Sequence, residues 1–133
     1  MAYDRPLPKI DALNKPFWDA ARSGQLVIQT CTKCSDMHFP PTPGCPHCLA
    51  VEQEWRPASG RGTLESWIAF HRAYWDGFRD RLPYNVCLVR LEEGPLMVST
   101  LIGATETAKL GAPVRVTFET ATEEVTLPVF ALA

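Results

Sequence analysis

The alternation of apolar and polar residues after residue 60 predicts a series of short β-strands. Val114, Val116 and Phe118 alternate with polar residues at a period of two, which places every second side chain on one face of a sheet. Four other apolar segments, bounded by glycine or proline, have the length and composition of strands. The predicted strands span residues 63–74, 84–91, 95–102, 114–119 and 127–131.

The number of these strands favours a small barrel. Five uneven strands are too few for a two-sheet sandwich, which usually has about seven. We therefore predict a mainly β protein whose residues 58–133 form a five-stranded OB-fold barrel. In its first strand, we expect Leu64, Ile68 and Phe70 on one face and Trp67 on the other.

One short helix is predicted near the start of the chain, within residues 1–24. Asn14 can cap it and Gly24 can end it. Phe17 and Trp18 give the helix an aromatic face that is large for about ten residues, so this face must pack against something. It covers either the protein's own core or a partner subunit, and the sequence leaves both open.

Between the helix and the barrel, the segment CTKCSDMHFPPTPGCPHC contains two Cys-x-x-Cys pairs. This spacing lets two thiolates and the intervening backbone amides surround one ion, and the connecting loop can fold the second pair onto the first. Strands expected at residues 25–29 and 54–57 complete a zinc ribbon over residues 25–57. The expected ligands of one structural zinc are Cys31, Cys34, Cys45 and Cys48. Four cysteines leave no coordination position open for water or substrate.

Other interpretations of these cysteines are less favoured. Disulfides stabilise secreted domains, and the chain begins without the apolar segment of a secretory signal, so we expect a cytoplasmic protein with reduced thiols. A redox Cys-x-x-Cys pair usually opens a helix, which the prolines around both pairs disfavour. Iron suits the same four thiolates and is kept as an alternative to zinc. His38 and His47 lie beside the pairs and are either spare ligands or exposed loop residues; we expect the second, because the ligand set is complete without them.

The net charge of the chain indicates whether a nucleic acid is an expected partner. The 133 residues carry 13 Lys and Arg against 15 Asp and Glu. A nucleic-acid-binding protein usually has a basic surplus that neutralises phosphates, so this balance argues against DNA or RNA. No apolar segment is long enough to span a membrane.

An aromatic and basic loop is inserted between the first two barrel strands. In AYWDGFRDRLPY, residues 73–84, apolar rings stand beside arginines where little core is available to them. The loop either covers the barrel's own mouth or forms a surface for a partner or for coenzyme A. The candidate residues are Tyr74, Trp75, Phe78, Arg79, Arg81 and Tyr84, with Phe17 and Trp18 of the helix.

The remaining chemistry does not indicate catalysis by this chain alone. Cys87 lies among Val and Leu in a predicted strand, where a thiol is normally inert packing. His71 has no Asp or Glu in an obvious triad arrangement, and the sequence contains no phosphate-binding glycine loop or nucleophile elbow.

Taken in order, these features resemble the DUF35 family. The resemblance covers roughly residues 14–130 and depends on the combination of FPP (39–41), SGRGTLESW (59–67), PYNVCLVRLEEGP (83–95), LGAPVRVTFE (110–119) and LPVF (127–130). DUF35 proteins are described as a rubredoxin-like zinc ribbon followed by an OB-fold and are associated with acyl-CoA. The chain departs from the family pattern at Ser35 and Leu49, where glycine is common, and at Thr42, where arginine is common.

The resemblance implies an accessory, non-catalytic role. DUF35 proteins are similar to small subunits that assemble with thiolase-like, lipid-transfer-protein-like, synthase or aldolase large subunits and support acyl-CoA thioester binding, in lipid or aromatic degradation for example. Two alternatives stay open. One is a nucleic-acid-binding ribbon and barrel, and the other is a free-standing carrier of acyl-CoA or lipid.

Overall fold

The computed structural model describes residues 6–74, 76–103 and 108–133, without the side chains of Phe78 and Arg81. Its one α-helix, α1, spans Lys15–Arg22. Asn14 occupies the N-cap position, as predicted, but its side chain does not cap the helix. It instead accepts a hydrogen bond from the Asp11 amide at 2.9 Å, while the Asn14 amide donates to the Asp11 carboxylate at 3.0 Å. This reciprocal pair fixes how the chain enters α1.

The ribbon is a three-stranded antiparallel sheet. Its strands are β1 (Val27–Cys31), β2 (Met37–His38) and β3 (Gln53–Pro57), arranged in the order β2-β1-β3. Every residue of the central strand β1 is buried. The cysteine loop therefore connects a fully buried strand to the two strands that flank it.

The barrel is formed by the remaining strands. These are β4 (Arg61–Phe70), β5 (Tyr84–Leu91), β6 (Leu96–Ser99), β7 (Leu101–Ile102), β8 (Pro113–Thr120) and β9 (Thr126–Leu132), in the order β6-β5-β4-β8-β9-β7. A 3-10 helix, Asp76–Arg81, precedes β5. The five predicted strands are all present, and the third is divided into β6 and β7.

The division at Thr100 closes the barrel. β6 pairs with β5, whereas β7 pairs in parallel with β9. Thr100 donates its hydroxyl to the Asn85 carbonyl at 2.8 Å, and its own carbonyl accepts the Phe130 amide at 3.0 Å. One bent strand thus contacts both ends of the sheet, and the predicted OB-fold is confirmed.

The predicted faces of the first barrel strand were wrong. Leu64 is fully buried, but Ile68 is 55% exposed, and Trp67 packs against the core. The cause is a β-bulge: Leu64 pairs with Val89 and Ser66 with Leu88, which leaves Glu65 unpaired. One extra residue exchanges the inward and outward positions of everything after it. The strand also ends at Phe70, before the predicted residue 74.

A single hydrophobic core crosses the predicted boundaries at residues 24 and 57. Phe17 of the helix, Leu26 and Ile28 of the ribbon, and Phe130 of the barrel belong to the same buried cluster. Helix α1 contacts β1, β8 and β9. The division into segments 1–24, 25–57 and 58–133 stays a prediction, and the three segments share one interior.

The Gly-Arg-Gly segment at the start of β4 has a steric role. A Cβ on Gly62 would lie 2.5 Å from the Arg90 carbonyl oxygen and 2.8 Å from a Val89 methyl. A Cβ on Gly60, where φ is 80°, would lie 2.5 Å from a Val116 methyl. Glycine at both positions lets β4 approach β5 and β8 closely.

We predict that Gly62→Ala lowers the free energy of unfolding by about 2 kcal/mol, because the new methyl must displace backbone. Chemical denaturation followed by far-UV circular dichroism measures this change. Gly44→Ala is the matched control: its Cβ would be 3.5 Å from the nearest carbonyl oxygen, and we expect a change within about 0.5 kcal/mol. Equal effects of the two substitutions would contradict the steric role.

Candidate functional site

The four predicted metal ligands converge on one point. Sγ of Cys31 lies 3.6 Å from Sγ of Cys48, Sγ of Cys34 lies 3.6 Å from Sγ of Cys45, and all four sulfur atoms are within 4.8 Å of one another. Zinc–sulfur bonds of about 2.3 Å in a tetrahedron place sulfur atoms about 3.8 Å apart. The residues present fit a tetrahedral four-thiolate metal centre.

Backbone amides surround two of these sulfur atoms. The amides of Lys33 and Cys34 donate to Cys31 Sγ at 3.4 and 3.5 Å, and those of His47 and Cys48 donate to Cys45 Sγ at 3.4 Å each. Such hydrogen bonds stabilise thiolate charge. The two Cys-x-x-Cys turns therefore have the same construction and present their sulfur atoms to the same ion.

The thiols influence one another's ionisation. The Cys34 amide, helped by that of Lys33, lowers the pKa of Cys31 to about 7 against the effect of burial. For Cys34, the Asp36 amide lowers the pKa, but burial and the neighbouring thiols outweigh it and raise the pKa to about 12. Four adjacent thiols do not all ionise near neutral pH by themselves, and a bound divalent cation supplies the missing positive charge.

Both turns have a left-handed residue after the second cysteine. Ser35 has a φ of 64° and Leu49 a φ of 66°, and their amides donate to the carbonyls of Cys31 and Cys45 at 3.0 and 2.9 Å. These are the positions where glycine was expected from the family pattern. The turns keep their hydrogen bonds without glycine, at the cost of backbone strain.

Thr42, which stands where the family commonly has arginine, secures the loop between the turns. Its amide donates to Gln29 Oε1 at 2.7 Å, its hydroxyl donates to the Gly44 carbonyl at 2.6 Å, and its carbonyl accepts from Gln53 Nε2 at 2.9 Å. Thr42 thus ties the cysteine loop to β1 and β3.

His38 does not lie where it was expected. It is a β2 residue, only 8% exposed, and its Nε2 lies 2.8 Å from Gln29 Oε1 on the paired strand. The prediction of an exposed loop histidine was therefore wrong for His38, although His47 is exposed. The reason is a short strand after the first cysteine turn, which pairs His38 with the buried Gln29 of β1 and leaves no periodic pattern in the sequence.

The aromatic loop contributes to a ring cluster on the outer face of the barrel. Phe70 stacks on Tyr84 with ring centroids 5.1 Å apart, and Tyr74 meets Phe70 edge-on at 6.2 Å. The Arg72 guanidinium lies 5.3 Å from the centre of the Tyr74 ring, and Tyr74 remains 59% exposed. Tyr74 and Tyr84 were among the candidates from the sequence, but Phe70, which contacts both rings, was not.

The other candidates in the loop fall into two groups. Arg79 is exposed and forms an ion pair with Asp76 at 3.0 Å. Trp75 and the side chains of Phe78 and Arg81 lie outside the part of the protein that the structure describes.

The two aromatic residues of α1 lie at the junction of helix, ribbon and barrel. Phe17 is buried in the protein's own core, and Trp18 meets it edge-on at 5.0 Å. Both line a cavity of about 530 Å³, together with Phe39 of the ribbon and residues of β5, β6, β7 and β9. The core accounts for the packing of Phe17, and the cavity is a feature that the sequence did not reveal.

The fifth cysteine, Cys87, is 1% exposed within β5. Burial raises the pKa of its thiol to about 11. A thiol with this pKa is protonated at neutral pH and is a poor nucleophile. Cys87 is a packing residue of the barrel core.

A four-thiolate ribbon joined to a closed five-stranded barrel defines a zinc-ribbon and OB-fold protein. Residues 18–52 match the family described as "ChsH2, rubredoxin-like zinc ribbon domain", and residues 55–119 match "ChsH2, C-terminal OB-fold domain". A DUF35 domain-containing scaffold protein of Methanothermobacter thermautotrophicus is 30% identical over 101 residues, which are 74% of this chain and 75% of that protein. The chain belongs to the DUF35 family.

Two further similarities cover almost the whole chain. A probable enoyl-CoA hydratase alpha subunit of Thermomonospora curvata is 39% identical over 127 residues, which are 95% of this chain but only 39% of that protein. A solved structure described as "Ltp2-ChsH2(DUF35) aldolase" superposes with a TM-score of 0.84 at 37% identity, over 95% of this chain and 98% of that chain. Within the described residues, no helix is long and apolar enough to cross a membrane.

We predict that Leu49→Gly raises the free energy of unfolding by about 0.5–1 kcal/mol. Glycine relieves the left-handed strain, the lost side chain is 81% exposed, and a more flexible unfolded chain offsets part of the gain. Thermal unfolding of the metal-loaded protein measures the effect. Val51→Gly is the control, because Val51 is also exposed but has no left-handed φ, and it should be slightly destabilising. A lower melting temperature for Leu49→Gly would contradict the assignment of strain.

Proposed function

We propose that this protein is a non-catalytic accessory subunit of a thiolase-like or aldolase-type complex that acts on acyl-CoA thioesters. One observation carries the proposal. The chain is similar over 95% of its length to a chain of a structure described as an Ltp2-ChsH2(DUF35) aldolase, and the similarity covers 98% of that other chain. The relative described as a probable enoyl-CoA hydratase alpha subunit adds a connection to CoA thioesters. In this proposal the large partner supplies the reacting groups, and the DUF35 chain organises the complex and supports thioester binding.

The cysteine chemistry of the chain is consistent with this division of labour. Four of the five cysteines form the metal centre, and the fifth is a buried thiol with a raised pKa. The ribbon's metal, which we propose to be one structural zinc, has a complete set of four protein ligands and stabilises the fold. It supplies no open position for a substrate.

The outer face of β4, β5 and β6 is the proposed partner surface. The strand register aligns Phe70 with Tyr84, Ile68 with Val86, and Leu88 with Val98. Ile68 and Val98 are 55% and 60% exposed, and Tyr74 extends the same face at its loop end. We call this surface the outer apolar face. Exposed apolar side chains beside half-buried ones, here Phe70, Val86 and Leu88, are typical of subunit interfaces.

We predict that Ile68→Asp weakens assembly with a coexpressed thiolase-like or aldolase-type partner by at least about tenfold, and that Tyr74→Ala does so to a similar extent. Desolvating a carboxylate or losing an aromatic anchor at the interface causes the loss. Titration of labelled partner measures the dissociation constant. Val51→Asp, which places the same charge on an exposed β-branched residue of the ribbon, should assemble as the wild type does.

Other results would change this assignment. If Ile68→Asp and Tyr74→Ala both bind the partner with wild-type affinity, the outer apolar face is not the interface. If Arg79→Ala instead raises the KM of the complex for the thioester while assembly is unchanged, the loop contacts coenzyme A, whose phosphates accept arginine hydrogen bonds. Full activity of the partner without this subunit would contradict the accessory role itself.

The cavity beside α1 supports a second candidate function, the carriage of an acyl chain. Its volume of about 530 Å³ lies within the range of small-molecule sites. Several polar groups in its wall already have partners: the Asn85 side chain bonds both backbone groups of Leu101 at 2.8 Å, and the Ser99 hydroxyl donates to the Pro128 carbonyl at 2.9 Å. The space that remains suits an apolar group better than a polar one.

We predict that the purified protein binds a medium-chain fatty acyl-CoA and that Leu127→Trp weakens this binding by at least about tenfold, because the indole fills part of the cavity. Isothermal titration calorimetry measures the affinity. Leu110→Trp is the matched control, since Leu110 is 67% exposed and does not line the cavity. Binding that is absent in the wild type, or equal in both variants, would exclude the carrier function and leave the accessory proposal intact.

A further inference from the structure

A second group of possible metal ligands adjoins the four-thiolate centre. Asp36, His38 and Cys45 each offer one ligand atom, and these three atoms lie within 4.8 Å of one another. Cys45 belongs to both groups, so an ion at the second position would share its sulfur with the first. Thiolates bridge neighbouring soft or borderline cations because sulfur has several lone pairs.

The hydrogen bonds around Gln29 determine the tautomer of neutral His38. Gln29 Oε1 accepts the Thr42 amide at 2.7 Å, which identifies that atom as the oxygen. His38 Nε2 lies 2.8 Å from the same oxygen and must therefore donate its proton to it. In the neutral imidazole, Nδ1 is then left with an unprotonated lone pair.

This lone pair has no hydrogen-bond partner among the residues that the structure describes, although His38 is only 8% exposed. Asp36 Oδ2 lies 3.3 Å from this nitrogen. A nitrogen lone pair and a carboxylate oxygen repel each other at this distance unless a positive charge lies between them. Buried polar atoms are nearly always partnered, so the arrangement calls for a proton or a cation.

The spacing suits a cation. Zinc–nitrogen and zinc–oxygen bonds of about 2.0 Å in a tetrahedron separate the two ligand atoms by about 3.3 Å, and the Nδ1 to Oδ2 distance has the same value. Metal-binding histidines usually donate their second ring N–H to an oxygen, which fixes the ring. The Gln29 side chain provides that oxygen here.

The three ligand atoms and the charge of the neighbouring four-thiolate centre indicate which class of ion this site would bind. One nitrogen, one oxygen and one sulfur atom favour zinc, cobalt or cadmium over magnesium or calcium. Four thiolates around one divalent ion leave a net charge of about −2, and a second cation beside Cys45 reduces it. Three protein ligands leave a fourth position for water, so this ion should exchange more readily than the one held by four thiolates.

We propose that Asp36, His38 and Cys45 form a second, weaker site for a zinc-class divalent cation, bridged through Cys45 to the metal of the ribbon. The site takes the four-thiolate zinc as bound first. It is independent of the partner assigned to this protein, because every residue involved belongs to the ribbon.

The test is the metal content of the purified protein. After equilibration with excess zinc and removal of free metal by gel filtration, elemental analysis should give about two zinc ions per chain. A colorimetric chelator should release one of them at least about tenfold faster than the other. Asp36→Asn and His38→Gln should each retain about one zinc, and that zinc should be the slowly released ion.

His47→Ala is the matched control, because His47 also lies in the cysteine loop, between Cys45 and Cys48, but is exposed and outside the second group. It should retain about two zinc ions. Asp36→Asn tests the site even if His38→Gln disturbs the buried strand, since the Asp36 side chain is partly exposed and only its charge changes. One zinc ion in the wild type at saturation, or two in both variants, would overturn the proposal. So would ¹⁵N resonances showing His38 protonated at both ring nitrogens in zinc-saturated protein.

Discussion

The whole structure depends on closure of the loop between Cys31 and Cys48 by four sulfur atoms that meet at one point. β1 is buried at every residue, yet it is flanked by a two-residue strand and by the partly exposed β3. A two-residue strand contributes few ladder hydrogen bonds, and a metal that binds only the folded ligand set adds its binding energy to folding. The closed ribbon then presents Leu26 and Ile28 to the same core as Phe17 and Phe130. The metal centre therefore contributes to the position of the barrel and helix through the residues of β1 and the segment before it.

Features that show as a residue spacing or a repeating pattern could be predicted from the sequence. Features that depend on a single inserted residue or on a two-residue strand could not. The cysteine spacing selects the four residues whose sulfur atoms meet, and the alternation in β8 places Val114 in the core, because both signals repeat over a few residues. The bulge at Glu65 has no such signature, and it moved Ile68 outward and Trp67 inward. His38 was missed for a related reason: its two-residue strand is too short for any period to be visible.

The outer apolar face and the metal centre depend on different parts of the sequence. The face exists because the bulge turns Ile68 outward and because the chain after Phe70 folds Tyr74 back onto the Phe70 ring. The ribbon forms a separate sheet, β2-β1-β3, and contributes none of the residues that define that face. A partner that covers the face would therefore meet strands whose position is already fixed by the core, which reduces the entropy that must be lost on association.

The Gly-Arg-Gly segment is required by the packing of the barrel, so its presence indicates a shared fold and not a shared activity. Gly60 and Gly62 are required because β8 and β5 occupy the space of their missing side chains, and no ligand or partner enters that argument. Selection to keep these glycines would continue in a descendant that had lost its partner or changed its substrate, as long as the barrel folded. The segment is consequently useful for recognising distant relatives that share the fold. It is of little use for inferring that two such relatives have the same biochemical role. Divergence of role should be sought instead at positions such as Ile68 and Tyr74, where folding tolerates many side chains.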